Sequence, residues 1–147
     1  MKTLRILHVE DDPDDAFFLR KALIKAEPNC EIQRVCDGEE AIEYLRGLCQ
    51  PAAALSHQLW PDMIVLDLKL PKISGLEVLA WLHSQEHLSG TPVIALSGSS
   101  LGADRHQALE LGAIAYVVKS SVYTETAAQL LRLASAKMTS VLRADAA

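Results

Sequence analysis

The sequence predicts an α/β fold: one doubly wound, five-stranded parallel sheet in the order 2-1-3-4-5, with five helices. Three observations carry this expectation. Short apolar runs of strand length alternate with segments of helical period along the whole chain, the signature of repeated β-α units. Runs such as MIVLD and VIALS are apolar without alternation, so both faces of the sheet must be covered. One run, EIQRV, does alternate, which assigns the second strand to an edge.

The elements follow in order. The first strand is expected at Arg5–Glu10. Pro13 suits the first position of a helix, where its missing N–H costs nothing, and Asp12 can cap it, so a helix should run to about Ala26. Glu31–Val35 is the edge strand. Asp37 and Glu40 have the spacing of a capping box and open a helix to about Gly47. From Cys49 to Asp62 the chain holds two prolines and no period, as a long loop would. Met63–Asp67 is a buried strand. Ser74 and Glu77 form a second capping box for a helix to about Ser84, and Val93–Ser97 is the fourth strand. A turn-rich stretch, Gly98–Gly102, leads into a helix from about Ala103 to Leu111, stopped by Gly112. Ala115–Lys119 is the last strand, and a final helix runs from about Val122 to Leu142. With right-handed crossovers and the second strand at an edge, the order is flavodoxin-like. A single domain is expected over 1–147, its core within about 4–140, with a short tail and no output domain.

Composition removes several function classes. Half of the residues are hydrophobic and 22% are charged, which suits a globular core and not a disordered chain. A net charge of −5 without any Lys/Arg run argues against a nucleic-acid partner. Cys30, Cys36 and Cys49 lack CxxC spacing and are expected to be reduced thiols. No stretch approaches the roughly 20 apolar residues of a membrane span, and acid arrives too early in MKTLRILHVEDD for a signal peptide. The expected location is the cytoplasm.

In such a sheet, ligands bind beyond the carboxyl ends of the strands, where the winding reverses. Those ends carry Glu10, Asp11 and Asp12 on the first strand and Asp67 on the third, with Ser97 on the fourth and Lys119 on the fifth. Carboxylates so crowded repel one another and call for a cation. Every donor is oxygen, with no His or Cys at these ends, so a hard ion is favoured over zinc. Mg²⁺ takes one or two carboxylates and completes its shell with water and phosphate oxygens. Asp11 and Asp67 suit direct ligation, Glu10 could act through water, and the Lys69 backbone carbonyl could add an oxygen. A carboxylate beside such an ion can also be a nucleophile that forms an aspartyl phosphate, and Asp67, at the mouth of the site, is the best placed. Lys119 and the Ser97 hydroxyl would then bind phosphoryl oxygens.

These residues resemble the receiver domain of two-component response regulators. The matches are Val9-Glu10-Asp11, Asp67 to Pro71 with Gly75 after it, Ala95 to Gly98, and Ala115 to Lys119, in the right order over about residues 4–140. The resemblance implies that Asp67 accepts a phosphoryl group from a phosphohistidine on a sensor kinase. It implies that Glu10 and Asp11 hold Mg²⁺, that Lys119 pairs with the phosphoryl group, and that Ser97 and Tyr116 are the switch hydroxyl and aromatic ring. Phosphorylation would alter the surface of the fourth helix, fifth strand and fifth helix, the output being a protein contact. The VEDDPDD start, the long loop before the third strand and the LPKISGLEVL run are similar to stand-alone regulators that partner phytochrome-type histidine kinases. One position departs from the family: Ser120 follows the lysine where proline is usual, so the peptide there is expected to be trans.

Other residues have plainer readings. Asp14 and Asp15 are expected to be solvated acids in a first helical turn, and His8 a packed core histidine. Lys69 and Ser99 could tune water access. Ala127, Leu130, Leu131 and Ala134 are a core face, and Met138, Val141 and Leu142 could extend it into a homodimer surface. Two alternatives have a counter-signal. A Mg²⁺-dependent phosphohydrolase usually carries an acid two residues after its nucleophile, where this chain has Lys69. A receiver-like interaction module without phosphorylation usually lacks an acid, the acceptor or the lysine, and all are present here.

Overall fold

A computed structural model describes residues 3–49, 60–88, 90–98 and 102–146, with the backbone alone for 137–146. Strands β1 (Leu4–Val9), β2 (Cys30–Val35), β3 (Met63–Asp67), β4 (Val93–Ser97) and β5 (Ala115–Val118) are all parallel and pair in the order β2-β1-β3-β4-β5. This is the expected order. Two strands end one residue sooner than expected, yet the Glu10 N–H still donates to Val35 O at 3.0 Å and the Lys119 N–H to Ser97 O at 2.7 Å. Both residues are therefore held by the sheet's hydrogen bonds while their side chains leave its edge.

Helix starts follow local chemistry. Helix α1 (Pro13–Ala26) has Pro13 in its first turn, and Asp12 Oδ1 accepts from the Asp14 and Asp15 N–H groups. For α2 (Gly38–Leu48) the capping box is only half formed. Asp37 accepts from the Glu40 N–H at 2.8 Å, but the Glu40 carboxylate reaches past the cap to the Cys36 N–H. At α3 (Gly75–Ser84) the Ser74–Glu77 box is complete. Helix α4 (Gly102–Glu110) ends at Gly112, whose φ of 105° needs glycine. Helix α5 (Tyr123–Ala146) extends past the expected Leu142. A 3-10 turn at Glu86–Leu88, too short for any period to signal, buries Leu88. Most of the expected long loop (50–59), and Ser99 in the turn before α4, lie outside the described residues.

Side chains alternate between two apolar layers. Leu7, Val9, Ile64, Leu66 and Ala95 pack with α2, α3 and α4, whereas Ile6, Met63, Val65, Ile94 and Leu96 pack with α1 and α5. Gly75 locks the end of β3 to the start of α3. A Cβ there would lie 2.4 Å from Asp67 O and from Leu68 Cα, so no larger residue fits without moving the backbone that carries Asp67. Between them Lys72 adopts a φ of 64°, a left-handed conformation uncommon for a residue with a side chain.

His8 lies in the α1/α5 layer, 1% exposed, its Nε2 without a partner among the described residues. Burial first, and the Lys119 charge second, lower its pKa from 6.5 to about 4. Unfolded His8 takes a proton below about pH 6.5 and folded His8 does not, so the folded state loses stability as pH falls from there to about 4. His8→Val is expected to remove that loss. Urea melts of both proteins between pH 7 and pH 4 should differ increasingly, by up to about 3 kcal/mol in favour of the variant at pH 4. Parallel profiles would show that His8 carries no such cost.

Candidate functional site

The strand ends meet where β1 and β3 lie side by side, with β4 and β5 beyond. Glu10, Asp11 and Asp67 each bring a carboxylate oxygen within 4.8 Å of the others. Glu10 and Asp67 are buried, 1% and 4% exposed, while Asp11 is open to solvent. Lys119 reaches across the end of β4 and donates to Glu10 Oε1 at 2.8 Å and to Asp67 Oδ2 at 2.9 Å. Its third carboxylate, Asp15 Oδ2, is farther away at 3.5 Å. The other Asp67 oxygen is fixed by the Lys69 N–H at 2.9 Å. From the edge strand, the Arg34 guanidinium donates to the carbonyls of Glu10 and Asp11 at 3.1 and 3.2 Å, holding the peptide that presents both acids.

The electrostatics follow from this crowding. Burial raises the Glu10 pKa well above the carboxylate range, the Asp67 carboxylate adds to the rise, and Lys119 opposes it. Burial works against the Lys119 ammonium as well, but the hydrogen bonds to Glu10 and Asp67 outweigh it and raise its pKa. Two buried acids thus share one cation. An all-oxygen set of three carboxylates, one of them solvent-facing, fits a hard divalent ion that keeps part of its water.

A cleft of about 240 Å³ opens beside the cluster, with Glu10, Asp15 and Lys119 on its charged side, Leu19 and Leu96 in its apolar wall, and Tyr123 at the start of α5. The Tyr123 hydroxyl donates to Asp15 Oδ1 at 2.7 Å. That carboxylate holds the Tyr123 pKa above its ordinary value. The Tyr123 ring lies 5.4 Å from the Phe18 ring.

Of the residues singled out in the sequence, the fold brings Glu10, Asp11, Asp67 and Lys119 into one cluster. Ser97 is buried at the end of β4, between the strands that carry Asp67 and Lys119. Tyr116, on β5 opposite Ala95, is half-buried against the α2/α3/α4 layer. Lys69 meets Asp67 through its N–H. The Lys119–Ser120 peptide is trans. Ser120 organises the start of α5 instead: its N–H donates to the buried Thr126 Oγ1 and its hydroxyl to Glu125.

The expectation that Asp15 is merely a solvated acid fails, since it accepts from both Tyr123 and Lys119. A signal existed. Asp15 stands one turn before the buried Leu19 and so shares the core-facing side of α1. Asp14, by contrast, is exposed as expected. Tyr123 and Arg34 were missed without any local signal, because their partners lie far away in the chain.

Comparison with known proteins places these features in context. The response regulator receiver domain family matches residues 6–131. The polar-differentiation response regulator DivK of Brucella ovis is 38% identical over 82 residues, which are 56% of this chain and 65% of that protein. The aligned region thus spans just under two thirds of the length of the curated relatives. Among solved structures, the phosphorylated cyanobacterial phytochrome response regulator RcpA is 33% identical over 90% of this chain and 89% of its own, with a TM-score of 0.72. The Mn²⁺-bound form of response regulator Rcp1 is 30% identical over 86% and 88%, with a TM-score of 0.71.

Proposed function

The chain belongs to the response regulator receiver domain family of two-component signalling, and from that premise we propose that Asp67 accepts a phosphoryl group from a sensor histidine kinase in a Mg²⁺-dependent reaction. The observation that carries this reading is the buried Asp67 carboxylate, with one oxygen held by the Lys69 N–H and the other by Lys119, beside two further acids. A carboxylate oxygen attacks phosphorus as the bond to the protonated donor imidazole breaks, leaving an acyl phosphate on Asp67 and a neutral histidine on the kinase. Glu10, Asp11, Asp67 and the Lys69 carbonyl would hold Mg²⁺, which neutralises charge on the phosphoryl oxygens. Lys119 turns its donors from the carboxylates to those oxygens, and Ser97 supplies a further hydrogen bond.

On this reading the protein is a cytoplasmic receiver. Among the described residues, no helix is long and apolar enough to cross a membrane. The likeness to RcpA supports a phytochrome-type kinase as the donor. Ser97 and Tyr116 would carry the change to the surface of α4, β5 and α5. Leu109 on α4, Val118 on β5 and Ile114 just before that strand are 40–41% exposed there, which supports an apolar output contact with a partner protein or a second copy of the chain. The side chains of Met138, Val141 and Leu142, an expected extension of that surface, lie outside the described residues.

Incubation with acetyl phosphate and Mg²⁺ tests the reading. One acid-stable, alkali-labile phosphoryl group per chain is expected, located at Asp67 by mass spectrometry, and EDTA should prevent its formation. Asp11→Asn should raise the Mg²⁺ needed for half-maximal labelling by about tenfold, the loss of one charged ligand. Labelling without a divalent ion, or at another residue, overturns the mechanism.

A further inference from the structure

Tyr123 and Asp15, which reach Lys119 from outside the acidic cluster, have no part in the function proposed so far. Asp15 Oδ1 is held at 2.7 Å by the Tyr123 hydroxyl, while Asp15 Oδ2 stays 3.5 Å from the Lys119 ammonium. The same ammonium binds Glu10 and Asp67 at 2.8 and 2.9 Å. Asp15 is therefore the loosest of three carboxylates around one cation, and its short bond points the other way. It sits on α1, Lys119 follows β5, and Tyr123 opens α5, so the link spans the cleft beside the acidic cluster. Phe18 lies beside the Tyr123 ring, their centroids 5.4 Å apart.

An Asp15 carboxylate released from Tyr123 would close on Lys119, because opposite charges in a partly buried site attract strongly at short range. That would give the ammonium three tight carboxylates. A phosphoryl group arriving on Asp67 needs the same donors, and it would meet a third negative charge close by. We propose that Tyr123 is a positioning residue that holds Asp15 back from Lys119 and so keeps the ammonium available to the phosphoryl group. The proposal deepens the phosphoacceptor reading and rests on it. Tyr123 donates to none of the three clustered acids, and its hydrogen bond goes to Asp15, so its influence runs through Asp15.

The test uses beryllofluoride as the phosphoryl probe, titrated in the presence of Mg²⁺ and followed by calorimetry on four proteins: wild type, Tyr123→Phe, Asp15→Asn, and the double variant. Tyr123→Phe is expected to weaken binding about threefold, the scale of a partly exposed ion pair. Asp15→Asn should tighten it by a similar factor. The double variant should match Asp15→Asn alone, since without the charge there is nothing left for Tyr123 to restrain. A purely structural Tyr123 would lower the melting temperature and weaken binding equally in both backgrounds. That result overturns the proposal, as does a Tyr123→Phe variant that binds like wild type. If the wild-type protein binds no beryllofluoride, or Asp67→Asn binds it equally well, the phosphoacceptor reading itself falls and takes this one with it.

Discussion

Asp67→Asn is expected to take up no detectable phosphoryl group from acetyl phosphate or a phosphorylated kinase and, free of divalent ions, to melt at a higher temperature than the wild type. The first half follows from losing the nucleophilic carboxylate oxygen. The second follows from electrostatics. Three acids have oxygens within 4.8 Å of one another, a separation at which two like charges repel by about 3 kcal/mol at an effective dielectric constant near 20. The Asn carbonyl can still accept a hydrogen bond, so the variant keeps one contact and sheds a charge, for a net gain of about 1–2 kcal/mol. Circular-dichroism melts in EDTA measure it. Added Mg²⁺ should narrow the gap, since an ion at ten times its Kd stabilises the wild type by about 1.4 kcal/mol. A variant that melts below the wild type in EDTA would show that the acids are not in mutual conflict.

Lys119→Met should have the largest effect on stability. The lysine is the cation common to two acids that are 1% and 4% exposed, and removing one partner of a buried ion pair costs about 3 kcal/mol or more. The pH dependence has a definite sign. Lys119 has a raised pKa in the folded state, so its contribution is fully present below the unfolded value of about 10.4 and is lost only as pH rises through the folded one. In the variant, the burial and the Asp67 charge that raise the Glu10 pKa act without Lys119 to oppose them. The folded variant then holds protons that its unfolded chain releases, and it loses stability as pH rises above the ordinary carboxylate range. Burial already pushes the wild-type Glu10 pKa up to about 8, so the wild type shares the loss below that value. The deficit relative to it should be smaller near pH 6 and full near pH 9, with a divalent ion recovering part of it. Denaturant melts at the two pH values check this; a deficit independent of pH would mean the cost is lost packing.

Much of this was legible before the fold. Strand order followed from which runs alternate, and the first three helices were announced by N-caps that the structure contains. The four charged members of the site could be found because parallel strands deliver their carboxyl ends to one edge, whatever their separation in sequence. Boundaries shifted by a residue at β1 and β5, where hydrogen bonding continues as the chain turns into the site. The Asp37 box was half right for a related reason: spacing shows that a Glu can reach back, not which N–H it will choose.

Local period and turn chemistry alone determined the doubly wound sheet and the gathering of Glu10, Asp11, Asp67 and Lys119. Only the tertiary structure decided how Lys119 divides its hydrogen bonds, that Arg34 steadies the acidic peptide, and that Tyr123 claims Asp15. Those outcomes depend on how β2 lies beside β1 and how α1 and α5 seat against the sheet. Fractions of an ångström there settle which oxygen meets which donor, between residues as far apart as Asp15 and Tyr123, and no local pattern in the chain encodes such a distance.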